Sequence, residues 1–160
     1  MRKLYVSRRS IVVGGFAMCA SAIPIKFADA LPGVRVHRDP SCGCCGAWVD
    51  HLRASGFIAE VIETAKMSQV KIKLSVPQSL ASCHTAEVDQ YVIEGHVPAS
   101  AIKRLLNERP QARGLAVPGM PVGSPGMESE GTAPETFDVV LFGDFGQRSF
   151  SRYRGGAEVR

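Results

Sequence analysis

The chain has 160 residues, 45% of them hydrophobic, and a formal net charge of +4. Residues 1–30 contain five of the 19 basic residues and one of the 15 acidic ones, which leaves 14 of each sign in residues 31–160. A neutral mature chain lacks the basic surface that binds nucleic acid or an anionic membrane, so we exclude both partners. The remaining roughly 130 residues fit one domain with a core of its own.

Residues 1–30 have the pattern of an export signal. Basic residues precede an apolar run over residues 11–22, and a small-residue cleavage pattern ends at Ala30. The run is shorter than the roughly 20 residues that span a membrane, so we expect cleavage near Ala30 and no membrane insertion of the mature chain. Arg8 and Arg9 resemble the paired arginines of a twin-arginine signal, with an ordinary secretory (Sec) signal as the alternative.

The first part of the mature chain predicts a βαβ unit. Alternating apolar residues indicate a short strand over residues 34–37, and apolar residues at helical spacing then indicate a helix that ends at Gly56. Residues 57–63 read as a second strand. A strand, a helix and a strand in this order favour two parallel strands joined by a right-handed crossover.

The rest of the chain predicts further helices and a terminal hairpin. A βαβ unit followed by a helix and a C-terminal β-hairpin indicates an α/β, thioredoxin-like fold, formed by residues 31–160 as a single domain. The elements after the βαβ unit are a helix over 66–74, a strand over 85–93, a helix from Pro98 to before Pro110, an irregular loop over 114–134, and hairpin strands over 137–142 and 148–153.

Three cysteines lie at the predicted junction of the first strand and the first helix. The helix dipole and free backbone amides there stabilise thiolates, which are both nucleophiles and metal ligands. Cys42 and Cys45 have the C-x-x-C spacing of a pair that forms a disulfide or chelates a metal. Cys44 has no place in that pair, and a disulfide to the adjacent Cys45 would be strained. A metal site uses all three sulfurs without strain and favours soft ions, chiefly copper(I), with zinc as second choice.

A second segment supplies further candidate ligands. Cys83 and His84 are adjacent, a pairing suited to metal ligation or to activation of a thiolate, and His96 is a weaker candidate. Met120 and Met127 lie in the predicted loop, where a thioether is a soft copper ligand. The alternatives are a disulfide between Cys83 and Cys44 with His84 merely exposed, a surface role for His96, and methionines that pack onto the domain.

Three other residues are predicted to be structural. His37 and His51 have no spacing that places them against the cysteines, so we expect structural histidines at both positions. Trp48 lies one helical turn after Cys44 and is expected to pack the helix and to shield the site.

Two functions compete with metal binding at this stage. A thiol–disulfide oxidoreductase would use Cys42 as nucleophile and Cys45 as resolving thiol, with any metal incidental. A disulfide-stapled interaction domain would use the four cysteines of residues 31–160 in two disulfides. The presence of Cys44 and Cys83, which an oxidoreductase of this kind does not need, argues against the oxidoreductase function.

The cysteine, histidine and methionine motifs together resemble the CopG-like copper-resistance family, formerly catalogued as a domain of unknown function. The resemblance implies a periplasmic, thioredoxin-like copper-resistance protein that binds copper in a C-x-C-C motif, as a thiolate-bridged cluster that interconverts copper(I) and copper(II). Its partners would be copper ions and other periplasmic copper-handling proteins. By motif, the implied sulfur ligands are Cys42, Cys44, Cys45 and Cys83, with His84 and His96 as imidazole neighbours. The segments that carry the resemblance are Cys42-Gly43-Cys44-Cys45-Gly46 with Trp48, Ser82-Cys83-His84-Thr85-Ala86, Glu94-Gly95-His96-Val97-Pro98, and residues 114–128.

Overall fold

The computed structural model describes residues 30–159, so the predicted export signal lies outside the described residues except for Ala30. The described part contains one mixed sheet, three α-helices and a short 3-10 helix at Gln78–Leu80. No helix within it has the length and apolar content to cross a membrane. In chain order the elements are β1 (Val34–Arg38), α1 (Gly43–Ala54), β2 (Ala59–Glu63), α2 (Met67–Lys73), β3 (His84–Val88), β4 (Tyr91–Glu94), α3 (Ala99–Glu108), β5 (Gly114–Ala116), β6 (Thr136–Gly143), β7 (Gly146–Arg154) and β8 (Ala157–Val159).

The strands form a single eight-stranded sheet in the order β2-β1-β3-β4-β5-β6-β7-β8. β1 and β2 are parallel and joined through α1, and β4 and β5 are parallel and joined through α3. The other neighbouring pairs are antiparallel. The mixed α/β class is therefore confirmed. β1, α1 and β2 follow one another with parallel strands, and β6 with β7 forms a hairpin near the C-terminus.

The two faces of the sheet bury two separate apolar clusters. Neighbouring residues of a strand point to opposite faces, so Ile93 joins the main core while Val92 joins a smaller cluster on the other side. The main core holds the buried faces of α1 and α3, including Trp48, Leu52 and Ile102, all almost completely enclosed. Helix α2 contributes no buried residue within its bounds.

The prediction of one strand over residues 85–93 was wrong, because the chain turns there and forms β3 and β4. Asp89 has φ +52°, the left-handed conformation that aspartate tolerates better than most residues, and Gln90 follows it in the turn. No glycine or proline marks this turn in the sequence. A hairpin therefore replaces the single strand, and Glu87 remains half-buried on its first strand.

The prediction of an irregular loop over residues 114–134 was wrong at its beginning, where β5 pairs with β4. Gly114 lies opposite Val92, and a Cβ atom at Gly114 would clash with the Val92 carbonyl oxygen. The glycine is needed for close approach of two backbones, which sequence analysis read as a loop signal. The short terminal strand β8 was also not predicted.

His51 on α1 accepts a hydrogen bond at the start of α3. The backbone amide of Ala99 donates to His51 Nε2 over 3.1 Å, which satisfies one of the free amides of a helix N-terminus. Burial lowers the pKa of His51, against an opposing effect of the Glu128 carboxylate. The prediction that His51 is structural is thus supported, and the neutral imidazole is the form that can accept this bond.

Because the folded-state pKa of His51 is lowered, its contribution to stability is present above its unfolded value of about 6.5 and is lost as the pH falls. We expect His51→Ala to lower the free energy of unfolding by about 1 kcal/mol at neutral pH, as loss of a helix cap does. The variant should also lose less stability than wild type on acidification to about pH 5.5, with the remaining slope due to the other buried histidines. Urea unfolding at both pH values measures this.

Asp50→Asn is the matched control, since Asp50 is exposed on the same helix and makes no contact with α3. An unchanged pH dependence in His51→Ala would contradict the capping role.

Candidate metal centre

Four cysteines from two chain segments meet where β1 ends and β3 begins. Cys42, Cys44 and Cys45 lie at the start of α1, and Cys83 directly precedes β3. β1 leads into the first segment and pairs antiparallel with β3, so the end of β1 lies beside the start of β3. The four sulfur atoms all lie within 4.8 Å of one another. We call these four residues the cysteine cluster.

Two of the four sulfurs are joined in this structure. Cys42 and Cys45 form a disulfide, whereas Cys44 and Cys83 are free thiols. Cys44 Sγ lies 3.6 Å from Cys42 Sγ. Cys45 is completely buried, while the other three cysteines are partly exposed. Two electrons and two protons convert the disulfide into two further thiols, after which all four sulfurs are available as ligands.

The start of α1 brings helix amides and a cation close to the cysteine motif. Cys42 is the N-cap residue of the helix, makes no side-chain capping bond, and is followed by a first turn without acidic residues. Arg38 donates from Nη1 to the carbonyl oxygen of Cys42 over 3.1 Å, which brings a guanidinium close to the motif. Helix amides and a nearby cation both stabilise thiolate relative to thiol.

Two buried histidines complete the site. Cys83 Sγ lies 3.2 Å from His84 Nδ1 and 3.1 Å from His96 Nε2. His96 Nδ1 lies 2.8 Å from the carbonyl oxygen of Pro125, and since a carbonyl only accepts, that nitrogen carries the proton. The bond leaves His96 Nε2 free to act as a ligand beside the thiol. The alternatives of an exposed His84 and a surface His96 are both wrong.

Burial sets the protonation of this part of the site. Desolvation, followed by the nearby Cys44, raises the pKa of the Cys83 thiol to about 11. Desolvation lowers the pKa of His84 well below its usual value, with His96 and Lys71 adding to the effect, and it also lowers the pKa of His96. The thiol and both imidazoles are therefore uncharged at neutral pH. A bound cation would displace the thiol proton, so metal binding here releases protons.

Trp48 forms the inner wall of the site. Its indole Nε1 donates to the carbonyl oxygen of Val97 over 2.9 Å, and its ring centroid lies 4.3 Å from that of His84. The residue is completely buried. These contacts agree with the predicted packing and shielding role.

The loop that precedes β6 lies against the first turn of α1. A Cβ atom at Gly126 would lie 2.6 Å from the backbone nitrogen of Trp48, and Gly126 has φ +84°, so glycine is required for this approach. The neighbouring Pro125 provides the carbonyl that orients His96. Sequence analysis did not identify Pro125, and no side-chain signal could have revealed a role for a backbone carbonyl.

The two predicted methionine ligands lie in this loop. Met120 is 52% exposed and follows Gly119, whose carbonyl oxygen accepts a hydrogen bond from Ser82 Oγ over 2.5 Å, one residue before Cys83. Met127 is half-buried and follows Gly126 at the surface of α1. Both methionines are thus close along the chain to residues of the site, and their role as ligands stays a prediction.

Comparison with known proteins identifies the family. Two solved structures described as copper resistance protein CopG, form 1 and form 2, are each 45% identical to this chain, with a TM-score of 0.72. The alignment with form 1 covers 78% of this chain and 99% of that protein, and the alignment with form 2 covers 77% and 98%. The chain belongs to the CopG family of copper resistance proteins. The resemblance found in the sequence is confirmed.

Other comparisons add little to the CopG assignment. The family described as "Protein of unknown function, DUF411" matches residues 80–127, which include Cys83, both buried histidines and both loop methionines. No curated protein matches the chain. Membership in the CopG family, together with a cysteine cluster of suitable geometry, supports a copper-related function.

The donor atoms fit a soft metal ion. Four sulfurs and two imidazole nitrogens meet, and no carboxylate belongs to either group of candidate ligands found among the described residues. His84 Nε2 is buried and has no hydrogen-bond partner there, which is costly unless another group compensates. Sulfur and imidazole ligands suit copper(I) and zinc, whereas magnesium and calcium require oxygen.

The raised pKa of Cys83 predicts an unusual pH profile for its reaction with iodoacetamide. In mature Cys44→Ser with the Cys42–Cys45 disulfide intact, Cys83 is the free thiol of residues 31–159. Because only thiolate reacts, its labelling rate should continue to rise above about pH 9, where an unperturbed cysteine levels off. Mass spectrometry of labelled peptides measures the rate. A profile that levels off near pH 8.5 would contradict burial of the thiol.

Proposed function

We propose that this protein is a periplasmic copper-binding protein of copper resistance and homeostasis, which holds copper(I) through the thiolates of the cysteine cluster. The observation that carries the proposal is the convergence of four sulfurs within 4.8 Å, from two distant segments. Sulfurs this close can each bridge two copper ions, so the arrangement favours a thiolate-bridged cluster. His84 and His96 would provide imidazole at the Cys83 side of the site, and Met120 and Met127 thioethers at its loop side.

Copper(I) is the preferred ion because soft sulfur donors dominate the site. Zinc is the second choice, since it also accepts sulfur and imidazole in a tetrahedral arrangement. Adjacent Cys44 and Cys45 are less suited to one tetrahedral ion than to a bridged cluster. Copper over zinc is therefore part of the proposal.

Copper redox activity is consistent with the same residues. Oxidation of the Cys42 and Cys45 dithiol to its disulfide releases two protons and two electrons, which reduce two copper(II) ions to copper(I). The disulfide in this structure corresponds to the product of that oxidation. Return to the copper-binding state requires a two-electron thiol reductant.

The proposal also includes a thioredoxin-like fold and export to the periplasm. The order β2-β1-β3-β4, with α1 following the first strand and α3 the fourth, supports a thioredoxin-like assignment in which the cysteines occupy the first strand-to-helix junction. An export signal over residues 1–30 would deliver the single metal-binding domain of residues 31–160 to the periplasm, where partners would be copper ions and other copper-handling proteins.

A thiol–disulfide oxidoreductase is the second candidate function. The observation that favours it is the Cys42–Cys45 disulfide at a helix N-terminus. Cys42 is partly exposed and Cys45 is completely buried, as a nucleophile and a resolving thiol require. This function needs neither Cys44 nor Cys83, which distinguishes it by experiment.

The test is titration of the reduced mature protein with copper(I) against a competing chelator, with a parallel count of reactive thiols. Wild type should bind copper and lose its reactive thiols. Cys44→Ser should bind fewer copper ions, because a bridging sulfur is lost, while its Cys42–Cys45 pair still cycles with a dithiol reductant at close to the wild-type rate. Full copper stoichiometry in Cys44→Ser would contradict a cluster that uses all four sulfurs.

Met120→Leu tests the loop side of the site. Since Met120 is 52% exposed, the substitution should change the free energy of unfolding by less than about 0.5 kcal/mol. Copper(I) retention against the chelator should weaken by a few-fold, because a thioether ligand is lost. Met67→Leu on α2 is the matched control and should leave retention unchanged. A large loss of stability in Met120→Leu would instead make Met120 a packing residue.

A further inference from the structure

A buried carboxylate lies behind the cysteine cluster. Glu94 ends β4, and its side chain has no exposed surface. Oε1 accepts a hydrogen bond from the backbone amide of Ser82 over 2.6 Å, and Oε2 accepts one from Thr85 Oγ1 over 2.6 Å. Lys71 of α2 donates from Nζ to Glu94 Oε1 and to Thr85 Oγ1. The two charges of this small network are thus paired, and both carboxylate oxygens accept hydrogen bonds.

The network holds both ends of the segment that carries Cys83 and His84. Ser82 precedes this two-residue segment and Thr85 follows it, and both donate to the one carboxylate of Glu94. Thr85 and Glu94 are also paired in the register of β3 and β4. Displacement of the carboxylate would therefore remove a restraint on the backbone of Ser82 and on the side chain of Thr85, on either side of the segment.

Stability alone does not account for this arrangement. A buried ion pair gains little free energy over apolar residues of similar volume, because desolvation of both charges offsets their attraction. Lys71 belongs to a helix that buries none of its own residues, yet only 15% of the Lys71 side chain is exposed. What the pair provides is a fixed geometry at Ser82 and Thr85.

We propose that Glu94, paired with Lys71, is a positioning residue that fixes the Cys83 thiol and the His84 imidazole for metal binding. Glu94 contacts neither sulfur nor metal and acts through the backbone of Ser82 and the side chain of Thr85. The role in copper binding rests on the proposed function, whereas the restraint on Cys83 does not. Glu94 is the one charged residue of β4.

Glu94→Gln is the direct test, since it keeps the size of the side chain and removes the charge. In the Cys44→Ser background with the disulfide intact, Cys83 should react with iodoacetamide about tenfold faster than with Glu94 present, because its segment is released. In the reduced protein with all four cysteines, copper(I) affinity should fall about tenfold, or about 1.4 kcal/mol. Circular dichroism and urea unfolding establish that the variant is folded under the conditions in which the labelling rate and the copper affinity are measured.

Asp138→Asn is the matched control, because it removes an exposed ion pair with Arg152 on the terminal hairpin. It should leave the labelling rate and the copper affinity unchanged. A folded Glu94→Gln variant with wild-type labelling and wild-type affinity would overturn the proposal. A lower unfolding free energy with both readouts unchanged would also overturn it, since the role would then be structural only.

Thr85→Val provides a second variant if Glu94→Gln does not fold. It retains both charges and nearly the same volume, and removes the hydrogen bond that Thr85 Oγ1 donates to Glu94 and the one that it accepts from Lys71. Labelling of Cys83 should accelerate about threefold, and wild-type labelling in this variant would overturn the proposal. If the wild-type protein itself binds no copper, the proposed function fails, and the labelling rates alone still decide whether Glu94 positions Cys83.

Discussion

The antiparallel pairing of β1 with β3 is the constraint on which the candidate site depends. Arg38 at the end of β1 is paired with His84 at the start of β3, so the cysteines that follow β1 meet the cysteine that precedes β3. A shift of one residue in this register would turn His84 to the opposite face of the sheet and remove it from Trp48. The apolar residues of β1 and β3 that enter the main core fix the register. The site is therefore positioned by the packing of the core.

The site also balances burial against charge. Water solvates ions poorly at the enclosed Cys45, at the two enclosed histidines and at the half-buried Cys83. Burial raises the pKa of Cys83 and lowers the pKa of both histidines, so that each group favours its neutral form. Neutral donors need no counter-charge while no metal is bound. A cation then provides the charge that makes thiolate favourable, so the same burial that disfavours free thiolate does not disfavour the metal complex.

The sequence alone was sufficient for the elements whose signals are local. Helical spacing of apolar residues located α1 and α3, and alternation around a glycine-rich turn located β6 and β7. Prediction from the sequence failed where a residue has a structural role that differs from the usual conformational preference of its residue type. Asp89 turns the chain without a glycine, and Gly114 allows strand pairing where glycine normally marks a loop.

The candidate site likewise contains residues that the sequence could predict and contacts that it could not. Residue type and spacing identified the candidate ligands, because thiols and imidazoles have few other uses in such a pattern. Contacts that depend on the fold could not be predicted, including the Pro125 carbonyl on His96 and the Glu94 carboxylate behind Cys83. Neither a backbone oxygen nor a lone glutamate in a strand has a distinctive spacing.

The candidate ligands come from segments that are distant along the chain, at the start of α1, at the start of β3 and after β4. Few of them are neighbours in an unfolded chain, so the complete set of donors exists only when the central strands are assembled. Metal affinity and folding free energy are then linked quantities, and each raises the other. A metal ion held by these donors would therefore protect the central strands from hydrogen exchange more than the edge strands β2 and β8.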